Sequence, residues 1–368
     1  MPVRRLTRQD GFMNPSRRLW PGLALLSMLT TFGCTSTTSA DRPVPATTPM
    51  TSTPTPAAPT TAESPAAAAP TPTPDRPHTV SLQALMEKEY DGRGLRVGRV
   101  LARHREYTRY FVTYKSGKLT ISGIMNVPAG DGPFPVLVLN HGYIDPAVYT
   151  NGRGLSREQD YLARRGYVVL HTDYRNHAQS DDDPDSELKL RLGYTEDVIN
   201  AVLAIKGSSL PYLDRERVGL LGRSMGGGVT FNVLVAKPGL VDAAVVFAPV
   251  SSDAIDNFNR WIRRDSGRSR LTKRIVAEYG APERNPAFWR NVSAVNFFDR
   301  LTEPILVHHG TADESCPIEW SRTTVAALQR RNRDAQLVTY EGEAHAFGPA
   351  WPTSMRRTVA FFDKHLSA

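Results

Sequence analysis

The feature that most constrains this chain is the pentapeptide Gly222-Arg223-Ser224-Met225-Gly226, which directly follows the apolar run Val218 to Leu221 and opens a helical stretch through Gly227-Gly228. A serine at a sharp strand-to-helix turn is held in a strained conformation, and the chain closes around it only if the residues two places to either side, Gly222 and Gly226, carry no side chains. The serine then projects at the head of a helix, where the helix dipole favours developing negative charge. This context makes Ser224 a candidate nucleophile and calls for a parallel sheet with helices packed against it.

The rest of the chain reads the same way. Continuous apolar runs at Pro135 to Leu139, Tyr167 to His171, Val218 to Leu221, Ala243 to Phe247, Ile305 to Val307 and Gln336 to Tyr340 lack alternation and predict strands buried on both faces. Between them lie amphipathic, helix-length segments at Ser156 to Arg165, Glu196 to Lys206, Met225 to Ala236, Ile318 to Arg331 and Ser354 to His365. Repeated βα units of this kind imply an α/β fold with a mostly parallel, doubly wound sheet. Ahead of them, Tyr107 to Tyr114 and Leu119 to Val127 alternate across Lys115-Ser116-Gly117-Lys118 and predict a hairpin. Leu82, Leu85 and Met86 predict a short opening helix within 78–103, followed by irregular chain. Residues 251–300 separate two core strands by far more than a connection needs, and predict a helical cap.

A serine hydroxyl is a weak nucleophile near neutral pH, so a base must take its proton, and histidine has the suitable pKa of about 6.5. His345, in Glu341-Gly342-Glu343-Ala344-His345, lies just past the last core strand and before the final helix, as the order Ser, Asp, His requires. His171, His308, His309 and His365 lie in strands or on the terminal helix and read as core or surface residues. Asp313 leaves the end of the strand preceding the histidine's strand and is the expected acid, with Glu314 and Asp253 as rivals. The oxyanion needs two backbone donors: the N–H of Met225 and one from Asn140-His141-Gly142-Tyr143, where Gly142 permits close approach and Tyr143 is the expected donor. His141 reads as a brace for that loop.

Together, His141-Gly142-Tyr143, Asp173-Tyr174-Arg175, Gly222 to Gly227, Pro304 to Asp313 and Gly342-Glu343-Ala344-His345 resemble the prolyl oligopeptidase and dipeptidyl-aminopeptidase catalytic domain over roughly 110–366. The resemblance implies an α/β-hydrolase fold, an eight-stranded-type sheet flanked by helices, and a serine peptidase or related acyl esterase working through an acyl-enzyme. It carries over Ser224, Asp313 and His345 as triad, with Tyr143 as oxyanion donor. No propeller repeats stand upstream and no paired-glutamate motif is present, so the sequence is also similar to small feruloyl and acetylxylan esterases. The reading from a different class is a surface-binding lipoprotein that keeps the fold without catalysis.

The N-terminal 77 residues carry other information. Arg17-Arg18 precede an apolar run, Leu19 to Phe32, which ends in Gly33-Cys34; this has the layout of an export signal and resembles a lipobox, with Cys34 as the lipidation site. Met13 is an alternative start, and Ser16 to Trp20 loosely resembles a twin-arginine motif, so the export route stays open. Residues 35–77 are almost entirely Thr, Pro, Ala and Ser and read as a disordered tether, leaving 78–368 as the catalytic domain. The expected location is the outer face of the cell membrane, with secretion as the alternative. Of the formal charge of +8, Arg4, Arg5, Arg8, Arg17 and Arg18 against Asp10 supply half, so the charge does not argue for nucleic acid.

No metal-ligand spacing and no phosphate-cradling loop occur, so neither metal nor cofactor is expected. The partner is a small ester or short peptide. Within the cap, Arg260, Arg263, Arg264, Arg268, Arg270, Lys273 and Arg274 stand against Asp265 and read as a solvated face or, less simply, as a preference for an anionic substrate. Phe258, Trp261 and Trp289 read as cap packing or as the wall of an acyl pocket. Cys316 reads as a buried neutral thiol.

Overall fold

The unbroken apolar runs become strands with helices on both faces. The computed structural model describes residues 77–367. Nine strands, β1 Arg93–Arg103, β2 Tyr107–Ser116, β3 Leu119–Pro128, β4 Phe134–Asn140, β5 Val168–Thr172, β6 Leu213–Arg223, β7 Ala243–Phe247, β8 Ile305–Gly310 and β9 Ala335–Tyr340, form one sheet in the order β1-β2-β3-β5-β4-β6-β7-β8-β9. From β5 across to β9 all pairings are parallel; β1, β2 and β3 run antiparallel and join the sheet through β3 against β5. The helices are α1 Leu82–Glu87, α2 Ser156–Ala163, α3 Gly193–Lys206, α4 Met225–Ala236, α5 Ala254–Phe258, α6 Ser269–Tyr279, α7 Pro286–Asn291, α8 Ile318–Gln329 and α9 Trp351–His365.

Successive residues of the central strands serve opposite cores. Val136 and Val138 join one hydrophobic cluster, Leu137 and Leu139 the other; Ala244 and Val246 likewise oppose Val245. The first cluster contains α3 and α4 residues, the second α2 and α9 residues such as Leu162 and Phe362. Each fully buried Val, Leu or Phe contributes about 1.5–3 kcal/mol relative to exposure, so both faces of every central strand must stay apolar.

Two expectations change. The segment read as irregular chain after α1 is β1, which makes nine strands where an eight-stranded type was expected. It is an edge strand, largely exposed, with three register shifts against β2, and this removes the alternation that would have marked it. The region between β7 and β8 is helical as expected, built from α5, α6, α7, a π-helical turn at Asn259–Arg263 and 3-10 turns at Ser266–Arg268 and Ala294–Arg300. Cys34 and the leader and tether read from sequence lie outside the described residues.

Candidate active site

Ser224 stands between the end of β6 and the first turn of α4 at φ 56°, ψ −121°, a backbone conformation that side-chain-bearing residues rarely adopt. The flanking glycines follow from contact distances. A β-carbon at Gly222 would lie 2.3 Å from the Gly226 carbonyl oxygen, and one at Gly226 only 2.0 Å from that of Asn140. The strained turn is held by backbone bonds: the Ser224 N–H donates to Phe247 at 2.9 Å, and its carbonyl accepts from Gly227 at 2.9 Å and Val250 at 3.1 Å.

Asp313 follows β8 with its side chain shielded from solvent; its Oδ2 lies 2.8 Å from His345 Nδ1 and 3.2 Å from His309 Nε2. Its Oδ1 accepts the backbone N–H groups of Ser315 and Cys316, both at 2.9 Å. Burial raises the carboxyl's pKa, but the hydrogen bonds from His309, His345 and the Cys316 N–H outweigh it and hold the group ionised, well below the usual carboxylate range. Because an ionised carboxylate only accepts, His345 carries its proton on Nδ1 and leaves Nε2 free as a base. The acid and base loops are stitched together. Ala312 N–H donates to the Glu343 carbonyl at 3.0 Å, Gly342 N–H to Thr311 Oγ1 at 2.9 Å, and a side chain at Gly310 would collide with Glu343.

Thus the structure joins Asp313 to His345. No hydrogen bond joins Ser224 Oγ to His345; the polar neighbour of that hydroxyl is the Cys316 thiol at 4.0 Å. Both Ser224 and His345 line the same cavity. Burial pushes the Cys316 thiol up to about 12, so it stays neutral. Of the rival acids, Asp253 caps α5 through Ile255 N–H at 2.9 Å, and Glu314 offers its carbonyl to Arg260. His308 is bonded to Thr358 and Tyr340, and burial holds it down at about 3.

On the oxyanion side, Met225 is the first residue of α4, and its N–H has no partner within the helix. A β-carbon on Gly142 would lie 3.2 Å from the Ser224 Cβ, so the Gly142-Tyr143 backbone runs alongside the serine. His141 is a brace: its ring lies 2.7 Å from the Gly142 carbonyl and 3.1 Å from that of Asp173, and burial lowers it to about 4. Asp173 fixes the same loop by accepting from Ser122, Tyr149, Asn151 and the Gly152 N–H at 2.6–2.8 Å. Arg175 beside it is buried in ion pairs with Asp183, Glu196 and Asp197.

A cavity of about 470 Å³ lies between this machinery and the helical insertion. Phe258 and Trp289, buried with ring centroids 4.6 Å apart, form its apolar wall, and Trp261, 38% exposed, stands at the rim. Phe258 and Trp289 thus pack the insertion and line the cavity together. Arg260 ties the insertion to the acid loop by donating to the carbonyls of Ser315 at 2.8 Å and Glu314 at 2.7 Å. Sequence reasoning missed His309, read as core packing; its Nδ1 lies 2.6 Å from Ser321 Oγ, and its Nε2 reaches both Asp313 and the Cys316 carbonyl. It also missed Glu187 and Arg191, which line the cavity from the chain between β5 and α3 and carry no local motif.

Residues 153–368 match the prolyl oligopeptidase family. The uncharacterized peptidase YuxL of Bacillus subtilis (strain 168) is 25% identical over 265 residues, covering 67% of this chain and 37% of that protein. Dipeptidyl peptidase 4 of Felis catus is 30% identical over 196 residues, 52% of this chain and 24% of that protein. The chain therefore spans well under half the length of these relatives. Acetyl xylan esterase 1 from Thermoanaerobacterium sp. JW/SL YS485 shares the fold at a TM-score of 0.56 and 17% identity, covering 78% of this chain and 92% of that one.

Proposed function

The chain belongs to the prolyl oligopeptidase family, and from that premise we propose that it hydrolyses an ester or a peptide-type amide through an acyl-enzyme on Ser224. The observation that carries the reading is the Asp313–His345 pair at 2.8 Å, on loops stitched to one another, with His345 and the strained Ser224 opening onto one cavity. As substrate enters, the Ser224 hydroxyl turns from Cys316 to His345 Nε2, gives up its proton there and attacks the acyl carbon. Asp313 stabilises the imidazolium that results. The Met225 and Tyr143 N–H groups receive the oxyanion, the leaving group takes the proton from His345, and water repeats the sequence to release the acid.

A fluorophosphonate probe is expected to label the wild type and not Ser224→Ala; equal labelling of both would sink the proposal. Aminoacyl and dipeptidyl naphthylamides beside short p-nitrophenyl esters separate peptidase from esterase. The esterase reading draws support from the cavity itself, which the chain's own insertion walls with Phe258 and Trp289. A feruloyl-type aromatic acyl group suits such a wall better than an acetyl group, which has no ring to lie against Phe258 and Trp289.

Export with lipid anchoring through Cys34 belongs to the same proposal and rests on Arg17-Arg18, the apolar run to Phe32 and Gly33-Cys34. Metabolic labelling with a palmitate analogue tests it: incorporation that survives Cys34→Ser would exclude that site.

A further inference from the structure

The Tyr143 side chain, 45% exposed, stands at the rim of the cavity and is not packed in either hydrophobic core cluster. Two guanidiniums lie against its ring instead, that of Arg191 at 4.5 Å and that of Arg268 at 5.4 Å from the centroid. Arg268 also donates to the Tyr143 hydroxyl at 3.0 Å, and Arg191 lies 3.6 Å from the sulfur of Met225. The residues proposed as oxyanion donors are thus both touched by Arg191. Both guanidiniums converge on Glu187: Arg191 in a two-pronged fork at 2.8 and 3.0 Å, Arg268 at 3.1 Å.

These contacts close a ring through four segments remote in sequence. Tyr143 follows β4, Glu187 and Arg191 lie between β5 and α3, Met225 opens α4, and Arg268 belongs to the insertion. Leu190 and Arg191 both have positive φ, 51° and 57°, which aims the Arg191 side chain at the cost of a backbone that non-glycine residues seldom adopt. An oxyanion donor is effective only when fixed where charge will develop. Tyr143 has the ion-pair ring to fix it.

Resting on the acyl-enzyme reading above, we propose that Glu187 is a positioning residue that clamps Arg191 and Arg268 onto Tyr143, fixing the oxyanion loop and tying the insertion across the mouth of the cavity. Its effect is on the transition state. Glu187→Gln keeps the shape and removes the charge that gathers the two arginines, so kcat and kcat/KM are expected to fall together by about tenfold, short of the roughly 10²–10³ that deleting a donor costs. Phenylboronate, which mimics the tetrahedral intermediate, should lose affinity by the same factor, and Glu187→Asp should recover part of the loss. Arg268→Gln, on an exposed turn of the insertion, should cost about threefold and decides the matter if Glu187→Gln does not fold.

The assays use the full chain, a short p-nitrophenyl ester and fluorophosphonate labelling of the same preparations. Wild type that is labelled, beside a folded Glu187→Gln with unchanged kcat or with only a raised KM, overturns the clamp and leaves the hydrolase reading standing. Wild type that resists labelling overturns both.

Discussion

The nucleophile elbow and the helical insertion face one another across one cavity and share one hydrophobic cluster, yet their edges at the cavity are held by different physics. Around Ser224 the determinants are steric and buried: glycines that admit no β-carbon, backbone hydrogen bonds, and apolar strands covered on both faces. The insertion is rooted in the same hydrophobic cluster as the central strands through Phe258, Ile275, Trp289 and Phe298, but its outer turns reach the body through ion pairs and hydrogen bonds of Arg260, Arg268 and Arg274. Where covalent chemistry is proposed the protein is built to resist displacement; the outer turns of the insertion at the cavity rim are held by contacts that water and salt can weaken.

The comparison breaks first at the serine. Ser224→Ala is expected to reduce kcat by about 10⁴-fold or more with the fold intact, measured as ester turnover beside a thermal melt. A residual rate within tenfold of wild type would place the chemistry elsewhere. Trp289→Ala, at the root of the insertion, should cost about 3–5 kcal/mol in denaturant unfolding, because an indole buried against Phe258 leaves a cavity.

Acid should attack the body before the insertion. His141, His171 and His308 are buried and neutral, with pKa values lowered by burial, His141 to about 4 and His308 to about 3. In the unfolded chain each takes up a proton below about pH 6.5, so stability is present above that pH and falls as pH drops, by up to about 1.4 kcal/mol per pH unit per histidine. Asp313 adds to this only below about pH 4, since its depressed pKa favours the folded state above the unfolded value. Urea unfolding between pH 7 and 5 should show the decline, with a shallower slope in His308→Gln. A flat profile would contradict the burial of these rings.

The smallest effect sharpens the comparison. Arg263→Gln removes an exposed pair with Glu283 and should leave the urea unfolding midpoint where it is in the wild type. About 1 M salt should likewise loosen the outer turns at 265–274, seen as faster limited proteolysis there, while the melting of the body barely moves.

Much of this site was legible in the sequence because it is made of short stretches whose chemistry is local. Gly222 to Gly226 states its own turn, and the order Ser224, Asp313, His345 follows the order of strands in a βα sheet. β1 was not legible: an exposed edge strand with three register shifts has neither the buried run nor the alternation that marks a strand. Nor was His309, which occupies a strand as a core residue would and contacts the acid only because the following turn brings Asp313 back beneath it.

The sequence by itself determined the fold class, the candidate nucleophile with its candidate acid and base, and the existence of an insertion, since periodicity and backbone sterics act between neighbours in the chain. Only the tertiary structure decided which side chains meet across segments: Glu187, Arg191 and Arg268 around Tyr143, Arg260 on the acid loop, and Phe258 with Trp289 as the wall of the cavity. Such contacts depend on where separate loops end in space, and the identity of any one residue carries no record of that.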